Sequence, residues 1–385
     1  MFSTRSKVDA ELNRVTLAFA ERQRRGEPIL DLTLSNPTVA GLPYDSGVVL
    51  ESIANERALI YAPEPFGLLE AREAVCELYR ELGLAVHASR TVLTTSTSEA
   101  YSFAFKLLCD AGDDVLVPAP SYPLLEHLAT IEQIGIRPYQ LRYDGAWSLD
   151  IDSVRRALTP RTRAIVVVQP NNPTGSFLTR GELVQLFSLG LPVISDEVFG
   201  RYAFEDDSER VPSVLEFGEG LCLVLDGLSK RAGLPQLKLA WMTLAGQGAL
   251  VRDALARLEL IADTFLSPAT PVQLALSALL RAGRVTAQAI LQRVRRNYRA
   301  LSALLRDSPA SALRADGGWY AVLRLPRTLS EEDWVLGFLD DGVWVQPGYF
   351  YDFASEAFVV LSLLTPEATF DEGVARLSRV CTERC

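Results

Sequence analysis

The 385-residue sequence predicts an α/β fold in which a large domain on a mostly parallel sheet carries a smaller α+β domain. Short β-rich runs alternate with helical periodicity through the middle of the chain. One run, Ala164-Ile165-Val166-Val167-Val168, is apolar throughout, as a strand covered on both faces is. Towards the C-terminus the rhythm changes to strands separated by fewer helices.

In chain order, strands are expected at 92–94, 114–117, 164–168, 192–195, 222–225 and 239–243. Helices are expected near 98–110, 124–133 and 179–189, then over 248–262 and 268–306. A second group follows, with strands at 319–325, 343–345 and 358–363, a helix near 330–340 and a final helix. These divide the chain into a large domain, 46–275, and a small one made of 1–45 with 276–385.

The chain is 48% hydrophobic and 22% charged, ordinary for a globular protein with an ample core. Its net charge of -10 and pI near 5.0 argue against nucleic acid or an anionic membrane surface as the main partner. No run of about 18 apolar residues predicts a membrane span. The first twenty residues carry Arg5, Lys7, Asp9, Glu11 and Arg14, with no apolar run of a signal peptide, so a cytoplasmic protein is expected. Five cysteines, of which only Cys381 and Cys385 lie close together, form neither a zinc pattern nor a disulfide framework, and no metal is expected.

In open α/β sheets, ligands sit beyond the carboxyl ends of the strands. The polar groups just past the expected strands are Thr95-Ser96-Thr97-Ser98, Pro120-Ser121-Tyr122, Asn171-Asn172-Pro173, Asp196-Glu197 and Ser229-Lys230. Singly, each has a plain structural reading. Lys230 is a loop lysine, Asp196 a helix cap, Asn172-Pro173 a turn, the hydroxyl run a helix start and Tyr122 core packing. Together they match the needs of pyridoxal 5′-phosphate (PLP). Those needs are a lysine for the aldehyde, a buried carboxylate beside the pyridine nitrogen, and N–H and hydroxyl groups at a helix N-terminus for the phosphate. Lysine occurs at only four positions, Lys7, Lys106, Lys230 and Lys238, so the last two stand out.

On these motifs the chain resembles the class I/II aminotransferases, fold-type I PLP enzymes related to aspartate aminotransferase. Asn171-Asn172-Pro173-Thr174-Gly175, the Asp-Glu-x-aromatic run at Asp196 and Ser229-Lys230 stand in the family's order, from about Leu30 to Leu377. Tyr61-Ala62-Pro63, Gly67 and Leu69-Glu70-Ala71-Arg72 are similar to a further family segment. The resemblance implies a seven-stranded large sheet and ping-pong transfer of an amino group from an amino donor to a carbonyl acceptor. It implies that Lys230 forms the Schiff base and moves the proton, Asp196 pairs with the ring nitrogen, Asn172 bonds the phenolic oxygen and Tyr122 stacks on the ring. Thr97, Ser98 and Lys238 then contact the phosphate. Tyr61 reaches the phosphate of a partner subunit, which implies a homodimer.

The sequence departs from that pattern at four places. Phe199 stands where the family has a tyrosine donor, leaving Asn172 as the main donor to the phenolic oxygen. Lys238 replaces a phosphate-binding arginine and Gly227 a hydroxyl residue, so the phosphate site is a variant. Val360, in Phe358-Val359-Val360-Leu361-Ser362, stands where the family has the arginine that forks a substrate's α-carboxylate. Either Arg201 or Arg324 substitutes for it, or the substrate carries no such carboxylate. Trp319, Tyr320, Tyr349, Phe350 and Tyr351 fall in segments that line the family's substrate pocket, or else pack as core. A lyase, decarboxylase or racemase on the same scaffold is the alternative reaction, and a non-catalytic PLP-binding protein a more remote one.

Overall fold

The computed structural model describes residues 2–7, 13–218 and 220–384; Cys385 lies outside them. A two-residue strand, β1 (Leu30–Asp31), precedes a large sheet of eight strands. These are β2 (Thr91–Thr94), β3 (Asp114–Ala119), β4 (Gly135–Tyr143), β5 (Trp147–Leu149), β6 (Thr162–Val168), β7 (Val193–Asp196), β8 (Cys222–Gly227) and β9 (Ala240–Ala245). Their order is β2-β9-β8-β7-β6-β3-β4-β5. The pairings from β8 through β4 are parallel, while β9 runs antiparallel to both its neighbours and β5 antiparallel to β4. The sheet thus has one strand more than the resemblance implies, because the chain turns at Asp144-Gly145 and adds the short edge strand β5.

Strand residues alternate between two cores. Val115, Val117, Ala164, Val166 and Ile194 pack on one face, and Leu116, Ile165, Val167, Val193 and Val224 on the other. Both faces are covered, which is why β6 reads as an unbroken apolar run; each such side chain contributes roughly 1.5–3 kcal/mol of burial.

The C-terminal part forms a second sheet of β10 (Ser311–Ala312), β11 (Tyr320–Arg324), β13 (Gln346–Pro347) and β14 (Phe358–Ser362), while β12 (Val343–Trp344) pairs in parallel with β1. One face of this sheet, with Ala321, Leu323, Val359 and Leu361, closes over Trp319, Trp334 and Phe370 in a core that also takes Val15 and Leu32 from the N-terminal segment. The helix Thr270–Leu304 is long and apolar enough by composition to cross a membrane. Its buried residues instead serve two cores: Leu276 and Leu279 pack beside Trp241, and Ile290, Val294 and Leu301 beside Trp319.

Gly227 has a packing cause. It faces Ala240 across the β8–β9 pairing, and a Cβ there would lie 2.8 Å from the Ala240 Cβ. The hydroxyl expected at this position has no room while Ala240 is opposite. Gly227→Ser should therefore cost about 1–3 kcal/mol in urea unfolding, and Ala240→Gly in the same chain should recover only part of it, because the Ala240 Cα at 3.0 Å and the Leu239 carbonyl at 3.2 Å stay close. An unfolding midpoint unchanged by Gly227→Ser would refute the packing argument.

Candidate functional site

The parallel arrangement of β2, β3, β6, β7 and β8 brings their carboxyl ends to one edge. Beyond β2, Ser96 caps the helix Thr97–Leu108 by accepting the Glu99 N–H. Among the described residues the hydroxyls of Thr97 and Ser98 have no partner within the chain, so the first turn presents free donors at the positive end of the helix. The register Thr94↔Ala240 puts Lys238 at the same corner, exposed and in a left-handed turn.

One turn along that helix, the buried Tyr101 donates its hydroxyl to Asp196 Oδ2 at 3.2 Å. The Val198 N–H donates to Oδ1 at 3.1 Å. Burial at the end of β7 pushes Asp196 up to about 6. Next to it, Glu197 is buried and accepts from Gln169 Nε2, Ser195 Oγ and the Val214 N–H, yet desolvation still raises it to about 7.

Lys230 sits in the single turn Leu228–Arg231 that follows β8. Tyr202 fixes it by donating to the Lys230 carbonyl at 2.5 Å, and Arg231 pairs with the fully buried Asp226. The Lys230 amine lies 4.8 Å from the centre of the Trp319 ring and 5.7 Å from that of Phe199. Burial lowers it to about 8, with Asp196 pulling the other way.

Past β6, Asn171 Nδ2 donates to the Pro120 carbonyl and binds that loop to the next. Asn172 is buried with its Oδ1 unpartnered, as are Ser121 Oγ and Trp319 Nε1. Gln169 Oε1 and Asn171 Oδ1 are unpartnered too, and orphaned polar groups are uncommon in a core, so the segment after β6 is arranged to take an external partner. The Ser121 N–H donates to the Tyr351 carbonyl, so the Tyr122 loop meets the second sheet. Tyr122 is half-exposed and lies near Tyr320 and Tyr351.

Val360 is buried but absent from the core that takes Val359 and Leu361. It belongs to the opposite face of the second sheet, with Val322 and Gln346 as cross-strand neighbours and Tyr320 one row away. The Tyr351 hydroxyl donates to Gln346 Oε1. Arg324 lies at the outer end of that face opposite Phe358, exposed and lining a cavity with Trp147 and Arg327. Arg201 points elsewhere, into a recess with Arg231 and Arg284. Tyr349 is exposed and stacks edge-on against Phe350.

Lys230, Asp196, Asn172, Tyr122, Thr97 and Ser98 thus end on one edge of the sheet. Tyr61 does not join them: it is 77% exposed beside Leu59 and Ile60, which are also exposed. Tyr101 and Tyr202 were not among the expected site residues, and Glu197 stood there only as the polar neighbour of Asp196, without a role. A lone tyrosine one helical turn past Thr97 was the available signal for the first.

The sequence pattern of the family described as aminotransferase class I and II matches residues 45–377. Over 263 residues, 67% of this chain, it is 27% identical to the glutamate-pyruvate aminotransferase AlaA of Escherichia coli K12, and that match spans 65% of the relative's length. It is 25% identical to the tyrosine aminotransferase of Mus musculus over 92% of this chain and 81% of that one. An alanine aminotransferase from Pyrococcus furiosus shares the fold with a TM-score of 0.89 at 24% identity, covering 100% of both chains. An aspartate aminotransferase of Thermus thermophilus gives 0.84 at 26% identity over 99% of both.

The buried ionisable groups fix how stability depends on pH. Glu197 and Asp196 are held near 7 and 6, above their unfolded values of 4.5 and 3.8. The folded chain therefore binds more protons than the unfolded one between about pH 4 and 7, and stability falls as pH rises across that window. Lys230, lowered from 10.5 to about 8, acts in the opposite sense between those values. Glu197→Gln keeps an acceptor for the Val214 N–H and removes the proton. Relative to wild type it should gain on the order of 2 kcal/mol between pH 5 and pH 8 in chemical unfolding. Identical pH slopes in the two proteins would mean that Glu197 is already ionised at pH 5.

Proposed function

Because the chain belongs to the class I and II aminotransferases, we propose that it is a PLP-dependent aminotransferase that moves an amino group from an amino donor to a carbonyl acceptor. The observation that carries this reading is the half-buried amine of Lys230 near the half-buried carboxyl of Asp196 on the adjacent strand, beside a helix start with free donors. Bound PLP supplies an aldehyde for amine exchange and a protonated ring that takes up electrons from the donor carbon.

The chain's own residues supply the rest. Lys230, poised near pH 8, would anchor the cofactor and, once released, carry the proton removed from the donor carbon. Asp196, oriented by Tyr101 and the Val198 N–H, would face the ring nitrogen, whose positive charge draws its pKa back down. Asn172 would donate to the ring's oxygen and Tyr122 cover its face. Thr97, Ser98 and Lys238 would hold the phosphate, without the fork that an arginine offers. Trp319 and Phe199 keep water from the Lys230 amine. The exposed Leu59, Ile60 and Tyr61 would be covered in a homodimer, with Tyr61 reaching the partner's phosphate site.

The donor class follows from Val360. Beside it stand Val322 and Gln346 and, one row away to either side, Tyr320 and Arg324, so the position next to Val360 itself carries only neutral groups. Of the two substitute arginines, Arg201 lines a different recess, and Arg324 lies on the same sheet face one row further out, where it is exposed and lines a cavity with Trp147 and Arg327. A carboxylate placed beside Val360 would lose hydration without a guanidinium fork at that position. We therefore infer a donor with no carboxylate on its amine carbon, a primary amine paired with an aldehyde.

Two measurements check these statements. Purified protein mixed with PLP should show the absorption band of lysine-bound cofactor, formed more fully as pH rises through about 8, absent in Lys230→Ala, and sedimenting at twice the chain mass. Failure of wild type to form the band would remove the PLP assignment. In single-turnover tests, tyramine should convert the bound cofactor at least tenfold faster than tyrosine, and Val360→Arg should narrow or reverse that ratio. A wild-type preference for the amino acid would defeat the amine reading while leaving the aminotransferase reading intact.

A further inference from the structure

Behind the Lys230 turn, between the helices Leu69–Glu81 and Thr270–Leu304, lies a recess of about 250 Å³. Four guanidiniums line it, those of Arg201, Arg231, Arg281 and Arg284, against the carboxylates of Glu77 and Glu81. The carboxylates are taken. Glu81 pairs with Arg284 at 2.5 Å, and Glu77 pairs with Arg80 on its own helix. Arg231 is neutralised by the buried Asp226. Arg281 donates to Ser277 Oγ at 2.6 Å and has no carboxylate partner. Arg201 has neither a hydrogen bond nor an ion pair among the described residues.

Arg201 is also more costly there than on an open surface. It is half-buried, and burial together with the nearby Arg231 and Arg284 disfavours its charge. Tyr202, the next residue, is tied to the Lys230 carbonyl, which fixes the backbone that carries Arg201 in the recess. An unpaired cation held beside two others destabilises a protein unless something else occupies the space between them. The recess also opens into a cleft of about 840 Å³ that shares Arg201, Arg231, Glu81 and Arg284, so it is reachable from solvent.

We propose that this recess is an anion site, separate from the Lys230 site, that binds a phosphate group through Arg201 and Arg281. The volume admits a phosphate and a small attached body, and guanidiniums on its lining suit phosphate oxygens. The source is either free phosphate or the phosphoryl group of a small metabolite whose body occupies the wider cleft. Arg231, beside Lys230 in sequence, forms the rear wall. The site rests on this geometry alone and stands whether or not the donor is an amine.

The test uses the PLP-loaded protein, so that the cofactor's phosphate site is filled. Thermal unfolding and calorimetric titration are followed with inorganic phosphate and with glycerol 3-phosphate, at matched ionic strength in chloride. Wild type should be stabilised by one or both. Arg201→Gln should lower the affinity about tenfold or more and, without the anion, unfold no earlier than wild type, because a repulsive charge has gone. Arg281→Gln, at an exposed helix position, should show the same loss of affinity and serves if Arg201→Gln does not fold. Lys238→Gln should leave the response intact. Tighter binding of glycerol 3-phosphate assigns the site to a metabolite, and equal binding to the free ion. No stabilisation beyond chloride, or equal affinity in wild type and both arginine variants, would overturn the proposal.

Discussion

Two half-buried ionisable groups, the Asp196 carboxyl at the end of β7 and the Lys230 amine in the turn after β8, sit where these parallel strands end, and most of the surrounding structure can be understood as holding them there. Each loses hydration, and each has its pKa moved towards neutrality by that loss. Their mutual attraction offsets only part of the cost. The rest is met by rigid support: Tyr101 and the Val198 N–H on the carboxyl, Tyr202 on the lysine backbone, and the Asp226–Arg231 pair under the turn. The parallel sheet makes this feasible because it ends adjacent strands at one edge while both faces stay dry.

That dependence explains which parts of the fold were legible. Strands β3, β6, β7 and β8 are short runs of branched apolar residues buried on both faces, and their pattern reports their surroundings directly. Strand β4 was missed because it is partly exposed and carries Arg137, Pro138, Gln140 and Arg142 among its apolar residues. β5 is three residues long and has too little pattern to read. The helices Arg14–Arg24, Ser46–Ile53 and Ile151–Ala157 were likewise not delineated, being short segments whose buried residues are few.

The site divides in the same way. Groups that follow strands directly, such as Asp196 and Lys230, could be found by position alone. Groups that act on them from other elements could not. Tyr101 reaches Asp196 across 95 positions of sequence, and Tyr202 meets Lys230 across 28. Glu331 shows the same limit in the second sheet: its buried carboxylate accepts the Tyr349 and Phe358 N–H groups and joins the Tyr351 loop to β14, though in sequence it reads as one more acid in a helix's first turn. Such contacts depend on packing between elements, and no local pattern encodes them.

The departures from the family pattern have different physical standing. Gly227 is coupled to Ala240, so the missing hydroxyl reflects the closeness of two backbones and could return only with a change on the facing strand. Val360 has no such coupling. It is buried beside Val322 and Gln346 on the face opposite the core that Val359 and Leu361 fill. It takes no part in that core, which points the valine towards ligand choice rather than folding. The same reasoning separates Arg201 from the other arginines: most pair with a carboxylate or carbonyl that accounts for them, and a half-buried guanidinium without either is a position whose cost the fold alone does not explain.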